Sequence, residues 1–241
     1  MGSKGGARHL KRTAAPRFWP IHVKERQFAT RPKAGPHPAD RSLTLLTVVR
    51  DKLKLARTGR EASLIISRGE VRVDGKPRKD PRYPAGLMDA VEVPTVKEAY
   101  RILPVRGKAL SLVKVNKEEA GYKLCKIMDK TTVRGGVVQL NLHDGRNIRL
   151  GAEEPPDKYL TGDTLKISVP EQKFLEHLKL EKGAYAIITG GKNLGLHGKI
   201  VDVGGKEGLV AIEGPDGQLL QSTRDYVMVI GRDQPLVELA E

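Results

Sequence analysis

Cysteine is almost missing: Cys125 is the single one in 241 residues. No intramolecular disulfide can form and no Cys-based zinc site exists, a composition suited to a reducing compartment. The six histidines are scattered, with no His-x-His or His-x3-His spacing, so no metal site is expected. Aromatic residues make up only 4% of the chain, against 26 glycines and 15 prolines. That balance argues against one large aromatic core and for several small β-rich modules, each with a modest core of its own. Long apolar runs are lacking too. Val227–Ile230 is among the longest, far short of a bilayer span. The N-terminus carries charge with no apolar segment behind it, so no secretory signal is expected. Gly6 stands where a myristoylation pattern needs Ser or Thr.

Positive charge is what the chain has in excess, +14 with a pI near 9.8. Such a surplus attracts a polyanion and releases its counterions on binding. With membrane spans excluded and no lipid anchor, nucleic acid is the expected partner. The excess is concentrated early. Residues 1–41 hold ten Lys/Arg against two Asp/Glu, residues 42–105 hold 13 against 8, residues 106–172 hold 12 against 9, and residues 173–241 hold 8 against 10. RNA is therefore expected along the first half, and the acidic last segment is expected to lean on a partner protein with one face.

Residues 1–41 read as a basic extended arm. Pro16, Pro20, Pro32, Pro36 and Pro38 break any helix, and the apolar residues follow neither a helical nor a strand period. The arm is expected to have no stable fold alone and to order against RNA. Its candidate contacts are Lys4, Arg8, His9, Lys11, Arg12, Arg17, Arg31 and Lys33. Trp19 joins them as a ring that needs a surface, either protein or a base. Deleting the arm is expected to weaken RNA binding more than any single substitution.

Residues 42–105 form the first expected module. Ser42 is placed to cap a helix with Leu45, Leu46, Val49 and Leu53 on one stripe. Thr58-Gly59-Arg60-Glu61 has capping-box spacing for a second helix, whose apolar face is Ala62, Ile65 and Ile66 and whose end is Gly69. Val71-Arg72-Val73 then alternates into an Asp74-Gly75 hairpin turn, with a return leg ending at Val91-Glu92-Val93. Two short helices and a hairpin resemble the small RNA-binding module named after ribosomal protein S4, matched at Glu61, Ala62, Ile66, Gly69, Val71, Val73, Gly75, Lys76 and Asp89. The resemblance implies RNA-gripping groups at Arg50, Lys54, Arg57, Arg60, Arg68, Arg72, Lys76 and Arg78. At Gly59 and Ser63 the chain departs from the family, which often has Arg there; Arg60 and Arg68 are the substitutes.

Residues 106–172 read as a central β domain, with strands at Lys123–Ile127, Val137–Leu142 and Thr164–Val169. His143-Asp144-Gly145-Arg146 and Gly162-Asp163 are turns, and the first is read as a hairpin rather than an acid–base pair. In residues 173–241, two strand-like runs flank Thr189–Lys199, a stretch with four glycines. It resembles a KOW motif, which implies a small SH3-like β-barrel. It is not a phosphate loop, because Gly198-Lys199 is followed by Ile200 and preceded five residues earlier by Asn193. Lys192, Asn193 and Lys199 are its candidate contacts.

Five segments in order resemble the small-subunit ribosomal protein family S4e, known in archaea and eukaryotes. They are Arg8–Arg12 with Ala15-Pro16 and Trp19, Tyr83–Asp89, Tyr122–Lys126, His143–Arg149, and the glycine loop. The end at Glu241, without a basic extension, points to the archaeal type. The resemblance implies a mixed α+β, multi-module protein of the ribosome in the cytoplasm. Small-subunit ribosomal RNA and neighbouring small-subunit proteins are its implied partners, with no catalysis, cofactor or small-molecule substrate. The alternatives are an RNA-modifying enzyme and a KOW-containing translation or transcription factor. For the first, Gly145-Arg146 is followed by Asn147, where a pseudouridine synthase would carry Leu.

Overall fold

A computed structural model describes residues 9–22, 24–107, 109–151, 155–204 and 208–239. The protein is mostly β, with few helices. Three five-stranded antiparallel sheets follow one another along the chain. The first orders its strands as Lys76–Pro77, Arg72–Val73, Ala90–Val93, Glu98–Val105 and Ala109–Val115. The central sheet runs Asn147–Arg149, Val138–Leu142, Tyr122–Thr132, Thr164–Ser168 and Phe174–Leu178. The last runs Leu219–Thr223, Leu209–Glu213, His197–Val203, Tyr185–Ile188 and Val227–Gly231.

The helices of the first module form for local reasons. Thr58 caps Gly59–Ser67, its hydroxyl accepting the Glu61 N–H at 3.2 Å, while the Glu61 carboxylate reaches back to the Arg57 N–H at 2.9 Å. Gly69 ends this helix region at φ +81°, the left-handed position that favours glycine. Asp74 and Gly75 both have positive φ, as a two-residue hairpin turn demands.

The first helix starts differently from expectation. Ser42 lies in a strand, Ser42–Thr44, paired with Pro84–Gly86. Thr44 is the cap of Leu45–Thr47, accepting the Thr47 N–H at 3.3 Å, and the chain continues as a π-helix, Val48–Lys52. Strand pairing claims Ser42 because its neighbours Leu43 and Thr44 are fully buried. The hairpin's return leg is also shorter than expected. It is Lys76–Pro77, and Ala90–Val93 pairs on the other side of Arg72–Val73.

Independent modules were expected, but the cores are shared. Ala15, Trp19 and Ile21 of the arm pack into one cluster with Leu43, Leu45, Val48, Ile66 and Ile102. The arm is thus anchored on the first module instead of standing free. Met88, Leu103 and Leu124, from the first and central regions, belong to the cluster of the last sheet. The division expected at 105/106 falls in the turn of a long hairpin, since Glu98–Val105 pairs with Ala109–Val115 over seven residue pairs. Small sheets with little apolar area gain more by burying faces against each other than by closing separately.

Candidate nucleic-acid interface

Most of the candidate cations of the arm and the first module are exposed, as are others further along the chain such as Arg134, Arg149 and Lys182. On the helix Gly59–Ser67, Ala62 and Ile66 are fully buried, so the opposite ridge faces water. Arg60, Leu64 and Arg68 follow that ridge at four-residue spacing and are all exposed. Lys54, Arg57, Arg72 and Lys76 are exposed on the adjoining loop and hairpin. On the arm His9, Lys11, Arg17, Arg31 and Lys33 are exposed. Lys33 pairs with Asp80 at 2.6 Å, a surface contact of small worth. Lys4 and Arg8 lie outside the described residues.

Several of the sequence candidates are tied to the protein itself instead, Trp19 buried and Arg12, Arg50 and Arg78 half-buried. Trp19 is 2% exposed and its indole N–H donates to the Ser42 carbonyl at 2.9 Å, so it packs on protein and cannot stack on a base. Arg12 Nε donates to the Ile21 carbonyl at 2.7 Å. Arg50 forms a two-pronged pair with Asp51, at 2.7 Å for each bond. Its guanidinium lies 3.4 Å from where a Cβ on Gly59 would stand. Arg78 lies over the Tyr83 ring, 4.5 Å from its centroid.

The glycine loop turns largely inward. A Cβ on Gly195 would come within 2.4–2.9 Å of Val105 and Arg106 backbone atoms, and one on Gly190 within 2.6 Å of the Tyr226 ring. These glycines permit close packing against the protein's own first sheet and last strand region. Asn193 donates its amide to the Gln221 carbonyl at 3.2 Å, while Lys192 and Lys199 stay exposed.

A second set of charges was not assigned from sequence. The Lys123 ammonium, 1% exposed, sits among Asp74 at 3.0 Å, Asp144 at 2.9 Å, and Asp89. Arg146 joins Asp74 at 2.6 Å, and His37 reaches Asp89 at 3.1 Å. The carboxylates also accept backbone N–H groups: Gly86 to Asp89 at 2.9 Å, and Ala90 to Asp74 at 3.0 Å. Burial opposes the charges, but their mutual attraction prevails. Lys123 holds Asp144 down to about 2 and Asp89 well below the usual carboxylate range, and its own pKa is raised. Nearby, the fully buried Arg101 binds the Glu119 carboxylate at 2.9 Å and the carbonyls of Met88, Glu119 and Tyr122. Lys126 donates to the carbonyls of Arg224, Asp225 and Val227 at 2.8–2.9 Å, which satisfies all three N–H groups of an ammonium. Burial pulls its pKa to about 8, so the ammonium still predominates at neutral pH. These groups tie the arm, the first hairpin, the central sheet and the last sheet together.

The same region contains Cys125, His143 and Asp144, whose ligand atoms lie within 4.8 Å of one another. The lone pairs of His143 and Asp144 are already committed, and the Cys125 thiol donates to Asp144. His143 Nδ1 accepts the Lys126 N–H at 3.2 Å, which leaves Nε2 to donate to the Leu87 carbonyl at 3.2 Å. The cation next to Asp144 is Lys123 itself. Burial lowers His143 to about 4 and raises the Cys125 thiol well above its ordinary value. A neutral histidine with both nitrogens bonded, beside a protonated thiol, is a structural junction rather than an acid–base pair. The sequence signal was present, since Asp89, Lys123, Asp144 and Arg146 all sit in the family-like segments. Nothing in those segments says that they meet.

The model of "Ribosomal family S4e" matches residues 96–174, that of the RS4NT domain residues 4–40, and that of the S4 domain residues 44–91. Small ribosomal subunit protein eS4 of Staphylothermus marinus is 46% identical, with 100% of this chain and 99% of that protein covered. The protein of the same name from Aeropyrum pernix is 48% identical over 100% and 98%. The one from Methanocaldococcus jannaschii is 46% identical over 99% and 100%. Among solved structures, the 30S ribosomal protein S4e from Thermoplasma acidophilum matches with a TM-score of 0.67 and 35% identity, covering 80% of this chain and 96% of that one.

Proposed function

Because the chain belongs to the ribosomal protein family S4e, we propose that it is a structural constituent of the small ribosomal subunit that grips ribosomal RNA through its N-terminal half. The observation that carries the reading is the segregation of charge. Buried cations are neutralised inside the fold, while Lys11, Arg17, Arg31, Lys54, Arg57, Arg60, Arg68, Arg72 and Lys76 face solvent on the arm and first module. These groups contact phosphates, which position the protein without reading bases. His9 and Lys33 extend the same surface, and Lys192 and Lys199 form a smaller second contact. Arg12, Arg50 and Arg78 shape the surface from below. The last sheet, with its KOW-like loop, is an SH3-like barrel that also meets neighbouring ribosomal proteins, consistent with its acidic balance. The protein acts within the cytoplasmic ribosome and catalyses no reaction.

Sedimentation tests this. Tagged protein is expected to travel with small subunits in a low-salt gradient and to come off progressively as salt rises, because each phosphate contact returns counterions. Protein that stays at the top of a low-salt gradient resolving the subunits refutes the assignment.

A further inference from the structure

We infer that the arm carries a docking recess for one unpaired RNA base, built on Phe28 and His9 and lined by Arg31 and Arg82, with Lys11 beside Phe28 on the same ribbon face. This rests on the RNA-binding reading above and adds to it a site that stacks on a base instead of touching only phosphate.

The recess is formed by a short ribbon in which Leu10–Lys11 pairs with Phe28–Ala29. Lys11 stands directly opposite Phe28, so the two side chains share one face of the ribbon. Phe28 is 51% exposed, in a chain with only three phenylalanines and one tryptophan. His9, also exposed, lies 5.8 Å from it between ring centroids, tilted by 56°. The two rings are tilted rather than stacked on each other. Both border an open recess of about 700 Å³, which Arg31 and Arg82 complete. Arg82 is held in place by donating Nε to the Arg31 carbonyl at 3.1 Å, which fastens the arm to the first module beside the recess.

The surroundings select the occupant. An apolar protein side chain on Phe28 would draw Lys11, Arg31 and Arg82 out of water without giving them partners, which is costly. A nucleotide offers a π-face to the ring and a phosphate to the arginines at once. Stacking tolerates any base, so the recess is expected to select for unpaired geometry rather than for sequence.

The test is a titration of the full chain with a transcript of small-subunit ribosomal RNA at several salt concentrations. Phe28→Ala and Phe28→Leu are expected to weaken binding about tenfold while leaving the salt slope unchanged, since no phosphate contact is lost. Arg31→Gln is expected to make the slope shallower. Phe28→Trp is expected to keep wild-type affinity and to show emission quenched by RNA, against a constant background from the buried Trp19. Thermal midpoints of all four should stay near wild type, because Phe28 and Arg31 are largely outside the core. Wild-type binding with an unchanged Phe28→Ala overturns the recess alone. Full activity of Phe28→Leu replaces stacking by apolar packing and overturns it as well. If the wild type fails to bind the transcript, the RNA reading falls and the recess with it.

Discussion

Lys123 and Lys11 are the same residue in opposite settings, and the regions around them differ accordingly. Lys123 is surrounded by three carboxylates and shielded from solvent. Lys11 is exposed at the edge of a two-stranded ribbon. In the first setting a charge is fixed, insensitive to salt, and needed for the fold. In the second it is screened within about a Debye length and is free to meet a phosphate. Composition adds the two kinds together. Only the second kind is available to RNA, so a net charge overstates the cations that a partner can use and says nothing of where they stand.

The contrast can be broken most sharply at Lys123. Replacing it with Met leaves buried carboxylates without their ammonium, and about 3–5 kcal/mol of stability is expected to be lost. Urea unfolding at neutral pH would show it, and a midpoint equal to wild type would mean that the junction contributes nothing. The surface set should behave in the opposite way. Lys11, Arg17, Arg60 and Arg68 changed together to Gln are expected to lower RNA affinity on the order of a hundredfold. The salt slope should become shallower by roughly 0.7–0.9 for each lost contact. Stability should remain within about 0.5 kcal/mol for each substitution. This set tests the arm better than deleting residues 1–41, because the deletion also removes Trp19 and Ile21 from the first core.

Acid sharpens the comparison with a smaller effect. His143 is lowered from 6.5 to about 4, so its share of stability is complete above pH 6.5 and is lost as pH falls towards 4. Asp144, lowered from 3.8 to about 2, contributes above pH 4 and loses that contribution as pH falls through about 2. Denaturant midpoints between pH 7 and pH 2 are expected to decline in that order, and Asp144→Asn should shrink the lower phase by on the order of 2 kcal/mol while Asp89, also held low, keeps the rest. RNA affinity at pH 7 gives the control, since neither group touches the exposed surface.

Much of the local structure was legible beforehand. The second helix with its Thr58 cap and Gly69 end, the Asp74-Gly75 turn and the hairpin at His143–Arg146 depend on contacts within a few residues, and these are written in consecutive letters. Local spacing places the first helix cap two residues early because Ser42 pairs with Gly86, 44 residues further along the chain. Arg60, Arg68 and Lys76, expected as RNA-gripping groups, are exposed. Trp19, Arg12 and Arg50 were grouped with them because a charged or aromatic residue looks the same in sequence whether it faces water or protein. Phe28 and Arg82 were passed over because they are distant in sequence and meet only when the arm folds back.

Charge segregation along the chain, the order of the motifs and the family resemblance follow from the sequence by itself, for they depend on residue identity and spacing. Which cations are buried and which remain free for RNA was decided by tertiary structure. Desolvation and pairing act between groups such as Lys123, Asp74, Asp89 and Asp144, which the chain separates widely and the packed sheets bring within hydrogen-bond reach.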